Sequence, residues 1–570
     1  MGEVLRIKAI VGCAILLSGT CWAGSYSRVA ADVSQLAPAQ RLVGDLLRSR
    51  IESRVPASDA AGTLRVEYGI DPALSGDAAS VVVSGGVVRI RSGRLHGLVH
   101  GTGKLLRSLR YGAGSFSVED GAYDFRPAKS FRMCYFARHF LNWYMEASAD
   151  ELKEYVDDLA LGGINAFMVE FAMPEVDAAY ETPERTRDFE RKSHEIYARI
   201  KSLDCQYGEL GGANQVPDDS PESIRGVPNS DPLRGNLGFN ACPEKPGAMD
   251  VILANRRRAL KRLDGLDVDC LMHWSFDEGG CECDKCYPWG GRGYLKLIEQ
   301  LHGMNKAAHP EAKALVSTWV FHDDDFEGLY RYLETHDWVD YIICDAHLDF
   351  PKYPLTHRIP GKTKIITFPE ISMWGRFPWG GYGAIAMPRR FERLFRQAEK
   401  VVDGFMLYSE GIFEDLNKTV VTGLYVDPQT TVEAILRTYC AYEFPGASPT
   451  DFVELVTLLE DNHRLEDLDR GRAERAKALA VRMDGQIALN QRIGWRWRLV
   501  YLRACIDAAI AAADGKLLTD VTRPHYDEIV RLYHAQRQVV ARADPSRKHD
   551  GWTCPPYLPP VAQADATKQK

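Results

Sequence analysis

Between Phe131 and Gly423 the chain switches eight times between short apolar runs and longer amphipathic stretches, and this alternation limits the fold more than any other feature. The apolar runs are Arg132–Ala137, Ala166–Glu170, the region Tyr207–Gly211, Cys270–Phe276, Ala314–Val320, Tyr341–Cys344, Lys364–Phe368 and Gly404–Tyr408. Each has the length of a strand and is mostly apolar, as a strand covered on both sides tends to be. The helical stretches between them include Ala149–Leu161, Pro183–Ser202, Ala248–Leu263, Gly293–Ala308, Phe326–Thr335 and Pro388–Val401. Strands joined by helices pair in parallel, because a parallel crossover has to travel the length of the sheet. Eight such units in roughly 290 residues predict a (β/α)8 TIM barrel, an α/β fold of about 250 residues plus loops. A doubly wound sheet would want a glycine-rich phosphate turn after its first strand, and none follows Arg132–Ala137.

The barrel is expected over residues 127–425, with Pro127 at its start, and both flanks differ from it in pattern. Residues 24–126 read as a small α/β domain. Leu42, Val43, Leu46, Leu47 and Ile51 share one face of a helix over Gln40–Arg54, and Thr63–Tyr68 alternates as a strand does. Val81–Ile90 reads as a hairpin turning at Gly85 and Gly86, followed by a glycine-interrupted helix, Leu95–Leu109. Residues 426–545 predict a helical domain built from Thr431–Tyr442, Thr450–Asn462, Arg472–Ile493, Trp495–Asp514 and His525–Arg542, and residues 546–570 a loose tail.

Residues 1–23 have the character of an export signal. Arg6 and Lys8 precede the apolar run Ala9–Gly19, which is too short to span a bilayer, and small residues allow cleavage after Ala23. A secreted or periplasmic protein is expected, with lipid anchoring through Cys21 as the competing reading. No later segment has the length and apolarity of a transmembrane helix. The formal charge of −8 and the absence of a basic cluster argue against nucleic acid as a partner.

Barrel enzymes carry their chemistry where the strands end. The residues in those positions are Arg138 and His139 after the first run, Glu170 after the second, and Glu209 with Asn214 near the third. Asp277 and Glu278 follow the fourth, Trp319 and His322 the fifth, Asp345 and His347 the sixth, Glu370 and Trp374 the seventh, and Tyr408 with Glu410 the eighth. A ring of acids and aromatics suits a sugar site, where carboxyls protonate and stabilise and aromatic faces stack. Singly, each of these residues is better explained as a helix cap or a rim ion pair. The acidic run His322, Asp323, Asp324, Asp325 is explained most simply as the start of a helix. The adjacent acids Asp277 and Glu278 are the leading catalytic pair. They close an apolar run that also contains His273 and Trp274, and Gly279 and Gly280 follow, able to free the backbone.

The segment His273, Trp274, Ser275, Phe276, Asp277, Glu278 resembles the His-x-Gly-Gly-Asp-Glu motif of family 20 glycoside hydrolases, the β-N-acetylhexosaminidases. Arg132, the run Arg138, His139, Phe140, and the pair Tyr408 and Glu410 are similar to that family's first-strand and last-strand motifs. The resemblance implies that Glu278 is the general acid/base and that Asp277 orients the substrate's own 2-acetamido group, which attacks the anomeric carbon. It further implies sugar contacts from Arg132, Arg138, His139, Glu170, His273, Trp319, Glu370, Trp374, Tyr408 and Glu410, an oligosaccharide or glycoconjugate substrate, and no cofactor for catalysis. The run from Tyr408 to Lys418 and the helical C-terminal end resemble the α-glucuronidase group instead. On that alternative Arg132, Arg138 or Arg376 would hold a uronate carboxylate in bidentate fashion. A third reading is a non-catalytic, carbohydrate-binding barrel.

Thirteen cysteines are present, and three of them, Cys281, Cys283 and Cys286, directly follow the acid pair. With Cys242 from the preceding loop they make four thiols, the number a structural zinc site uses. Disulfides within this group are the other reading, in keeping with export. Either way the group is expected to clamp the loop that carries Asp277 and Glu278.

Overall fold

The structure, a computed structural model, describes residues 24–533 apart from 56–60, 113, 139–142, 170–182, 218, 229–238, 277–278, 347–348, 370–385, 410, 464–465 and 517–518. The predicted leader 1–23 and the tail 546–570 lie outside the described residues.

Eight strands close into a parallel barrel, as the alternation of apolar and amphipathic runs predicts. They are β1 (Phe131–Phe136), β2 (Ala166–Val169), β3 (Gln206–Gly212), β4 (Cys270–Trp274), β5 (Lys313–Ser317), β6 (Tyr341–Asp345), β7 (Lys364–Phe368) and β8 (Gly404–Ser409). Each pairs with its sequence neighbours, and β8 returns to β1 from Gly404 opposite Phe131 to Ser409 opposite Phe136. The period-two alternation then sorts the side chains. Phe131, Met133, Tyr135, Ala166, Met168, Cys270, Met272, Leu315, Ile343, Ile366, Phe368 and Met406 fill the interior. Their neighbours along each strand pack outward under the helices.

Helices Ala149–Gly162, Pro183–Ser202, Ala248–Arg262, Gly293–Ala308, Asp323–Leu333 and Pro388–Ala398 lie in the six predicted places. A further helix, Asp415–Val426, follows β8 and completes the alternation. The first of them shows why the sequence breaks into a helix where it does. Ser148 and Glu151 form a reciprocal capping box, and Gly163 ends the helix in the left-handed region at φ 114°.

The N-terminal part is a seven-stranded mixed sheet. Its strands, in order across the sheet, are 110–112, 115–118, 24–32, 62–70, 87–92, 79–84 and 121–122. Helices Leu42–Glu52 and Leu95–Ser108 pack on it, and the second also contacts the barrel helix Ala149–Gly162. Beyond the barrel, helices Val432–Glu443, Pro449–Asp461, Arg470–Asp484, Leu489–Arg492, Trp495–Ala512 and Arg523–Tyr533 form the C-terminal region. Arg496 joins all three parts. It is paired to Asp415 behind β8 at 3.0 Å and to Asp158 on a barrel helix at 2.7 Å, and Asp158 is also bound by Arg50 of the N-terminal part at 2.8 Å. Among the described residues no helix is long and apolar enough to cross a membrane.

Candidate functional site

The C-terminal ends of the strands form a mouth floored by aromatic rings. Tyr135 from β1 lies 5.7 Å from Tyr408 of β8, Tyr408 lies 5.9 Å from Phe368 of β7, and Phe368 lies 5.2 Å from Trp274 of β4. Trp319, just past β5, is 5.5 Å from Trp274. The alternation turns all of these inward at the last layer of the barrel. Trp274 and Tyr408 are half-buried, as are Leu210 and Asp345 of the same rim. Val320, next to Trp319, sits at φ 56°, a conformation that costs a β-branched residue energy and is met most often at functional sites.

Two rigid frames hold the strand ends on either side of this floor. At β4 the link is Asn214, fully buried just past β3. Its Oδ1 accepts the Phe276 N–H at 2.8 Å, and its Nδ2 donates to Asn240 Oδ1 at 2.6 Å. The Ala213 N–H bonds to the Trp274 carbonyl at 2.7 Å, and the Gly279 N–H to the Phe276 carbonyl at 2.8 Å. The chain is thus fixed immediately before and after residues 277 and 278. Gly279 stands at φ 91°, and a Cβ on Gly280 would lie inside the Trp289 indole. The glycine pair expected to loosen the backbone instead lets it close against an aromatic ring.

At β8 the frame is the run Glu414 to Lys418. Ser409 Oγ donates to the Glu414 carboxylate at 2.8 Å and is hydrogen-bonded to the Tyr144 hydroxyl at 2.6 Å. Lys418, buried with Glu414 3.2 Å away, donates to the Gly411 carbonyl at 2.6 Å and to the Tyr155 hydroxyl at 2.8 Å. Asn417 accepts the Met387 N–H at 3.0 Å and so holds the far end of the segment after β7. The motif resembling the α-glucuronidase group therefore brackets position 410 from behind the barrel wall.

Of the residues singled out in the sequence, Trp319 and Tyr408 stand together at the mouth. Asp277, Glu278, His139, Glu170, Glu370, Trp374 and Glu410 lie outside the described residues, as do His347 and Arg376. Three expectations are corrected. Arg132 points outward near the start of β1, away from the mouth. It is fully buried, paired to Asp77 of the N-terminal part, and donates to the carbonyls of Gly163 at 2.6 Å and Lys129 at 2.7 Å. Its register with inward-facing Phe131 and Met133 dictates this, so it fastens the two domains together and does not reach a sugar. Arg138 is buried against the helix Pro183–Ser202, bonded to Ser193 and 3.6 Å above the Phe189 ring. Neither arginine is free to take up a uronate. His273 alternates with Met272 and Trp274 and so faces the helices. It packs 6.0 Å from Trp338 with both ring nitrogens unpartnered, and burial, with Arg256 nearby, pushes its pKa well below the usual value.

Glu209 likewise faces outward, accepting the Tyr207 hydroxyl at 3.2 Å. The acids after β5 cap a helix, since Asp325 accepts the His322 N–H at 3.0 Å and the Gly290 N–H at 2.6 Å. Asn214, Glu414 and Lys418 escaped prediction as framing residues. An Asn just past a strand gives a sequence signal for a turn and none for a long-range bond.

The four cysteines do converge. Their sulfurs all lie within 4.8 Å of one another, with Cys242 Sγ 3.8 Å from both Cys283 Sγ and Cys286 Sγ. All described cysteines are free thiols.

No protein-family model matches the chain, and no curated protein matches it by sequence. Solved structures do match its fold. A family 89 glycoside hydrolase from Clostridium perfringens, in complex with PUGNAc, superposes with a TM-score of 0.57 at 13% identity over 88% of this chain. This chain spans 65% of that enzyme's length. A family 138 enzyme targeting pectin rhamnogalacturonan II gives a TM-score of 0.53 at 8% identity, covering 92% of this chain and 74% of its own. A family 20 exo-β-N-acetylglucosaminidase from Vibrio harveyi gives only 0.46 at 11% identity, over 74% of each chain. At these identities the likeness to the first two is one of fold, a TIM barrel with flanking domains shared with glycoside hydrolases.

Proposed function

We propose that the protein is an exo-acting glycoside hydrolase of N-acetylhexosamine-containing glycans, with Glu278 as the general acid/base and Asp277 orienting the substrate's acetamido group. The observation that carries this reading is the aromatic floor at the C-terminal mouth of the closed barrel, with the Asp277–Glu278 pair following the β4 strand that supplies Trp274 to it. Trp274 and Tyr408 are half-buried, and aromatic rings suit sugar C–H surfaces.

In this mechanism Glu278 gives its proton to the glycosidic oxygen as the C–O bond breaks. The acetamido carbonyl oxygen forms a bond to the anomeric carbon from the opposite face. Glu278 then takes a proton from the water that opens this ring, and the configuration is retained. A general acid in this role must hold its proton near neutral pH. The family 89 enzyme is described with its substrate GlcNAc-α-1,4-galactose, whose acetamido group is cis to the leaving oxygen, so this neighbour supports an acetamido sugar and not the assisted attack.

A panel of p-nitrophenyl glycosides tests the proposal. Attack by the acetamido group requires it to be trans to the leaving group, so turnover of β-GlcNAc or β-GalNAc substrates is expected and turnover of the uronide is not. Activity confined to the α-anomers would overturn the acetamido assistance. Glycan binding with no turnover of any glycoside would overturn the enzyme assignment.

A further inference from the structure

We infer that Cys242, Cys281, Cys283 and Cys286 bind one zinc ion as a closed tetrahedral site that splices the loop after β3 to the loop after β4. The geometry selects metal over disulfide. With Zn–S bonds near 2.3 Å, the sulfurs of a tetrahedral site stand about 3.8 Å apart. Cys242 keeps that distance from both Cys283 and Cys286. A disulfide needs about 2.0 Å. Cys242, Cys281 and Cys286 are buried, and the Val227 N–H points at the Cys281 sulfur at 3.2 Å, the kind of donor that stabilises a metal-bound thiolate.

Three backbone segments meet at the sulfurs. The Cys242 N–H bonds to the Ile224 carbonyl at 2.9 Å, the Gly226 N–H to the Asn240 carbonyl at 2.6 Å, and the Glu282 N–H to the Val227 carbonyl at 3.2 Å. Asn240 is the residue that Asn214 holds, and Asn214 holds Phe276. The site is therefore coupled to the Asp277–Glu278 segment from both sides, through Phe276 and through Gly279 to Cys281. With four protein ligands no position is open for substrate, which makes the role structural. Binding converts four thiols to thiolates and releases four protons, leaving a [Zn(S-Cys)4] group of net charge −2.

The test uses metal analysis of the full-length protein purified without chelator, and so does not depend on turnover. About one zinc per chain is expected, with X-ray absorption showing four sulfur neighbours near 2.3 Å. Cys283→Ser, at the partly exposed corner, should lose most of the zinc while remaining folded by circular dichroism. Cys440→Ser, a buried cysteine in the helix Val432–Glu443, should keep it. Substoichiometric metal in the wild-type protein, iron in place of zinc, or a mass spectrum showing Cys242 in a disulfide would each overturn the inference.

Discussion

Replacing Asn214 by alanine removes the side chain that ties the end of β3 to the residue before Asp277. Two buried bonds go with it. The Phe276 N–H loses its acceptor at 2.8 Å, and Asn240 loses a donor at 2.6 Å. Phe276 is 5% exposed, so water does not replace the lost acceptor. A buried donor left unpaired costs about 1–3 kcal/mol, and the second bond contributes about 1 kcal/mol net. The total is about 2–4 kcal/mol. In a barrel of this size that lowers the melting temperature by about 4–8 °C. If Phe276 also sets the position of Asp277 and Glu278, kcat per folded molecule should fall by about 10–100-fold with little change in KM, since a displacement of 1 Å at reacting atoms costs about that much. Differential scanning calorimetry and steady-state kinetics below the melting range separate the two effects. A lowered melting temperature with unchanged kcat would show that Asn214 supports the fold alone. No change in either would refute the reasoning outright.

Arg132→Met should destabilise the protein by about 3–5 kcal/mol, because it leaves the buried Asp77 carboxylate between the domains without its arginine partner, while kcat/KM at low temperature stays within about two-fold of wild type. A raised KM with unchanged stability would restore Arg132 to the substrate site. Asp158 is pulled two ways. Burial raises its pKa, but Arg496 and Arg50 outweigh it and hold the carboxyl at about 2, below its usual 3.8. A depressed carboxylate contributes stability that is present above the unfolded value and lost as pH falls through the folded one. The melting temperature should therefore drop between about pH 4 and pH 2, and Asp158→Asn should flatten that part of the profile. An unchanged slope in the variant would place the acid sensitivity elsewhere.

The barrel was legible because its strands obey one rule. A strand covered on both faces is mostly apolar, and a helix between strands keeps its own period, so all eight strands are found within a few residues of their predicted positions. The strands 24–32, 110–112, 115–118 and 121–122 of the N-terminal sheet were not foreseen. The burial of the first alternates only weakly, and the second is three residues long. The helix Asp415–Val426 hid behind a motif that drew attention for its acids. At the site, the apolar runs placed Trp319 and Tyr408 at the strand ends, while the resemblance to known motifs misjudged Arg132, Arg138 and His273. Whether a strand residue faces the interior or the helices depends on register. Arg132 and His273 each sit one position out of phase with the inward set, and only the paired strands reveal it. The cysteines were legible as a group of four, Cys242 included, and the fold brings Cys242 across 41 residues to Cys283.

The central claim is that Glu278 supplies the proton to the departing oxygen, and its dependence on the leaving group tests this most directly. An alkyl aglycone must be protonated to leave, whereas a dinitrophenolate leaves without help. For Glu278→Gln, kcat/KM on an alkyl or disaccharide substrate should fall by about 10²–10⁴, the contribution of a positioned general acid, while kcat/KM on the 2,4-dinitrophenyl glycoside of the same sugar falls by less than about ten-fold. Equal losses on both substrates, or wild-type rates on the alkyl substrate, would contradict the assignment.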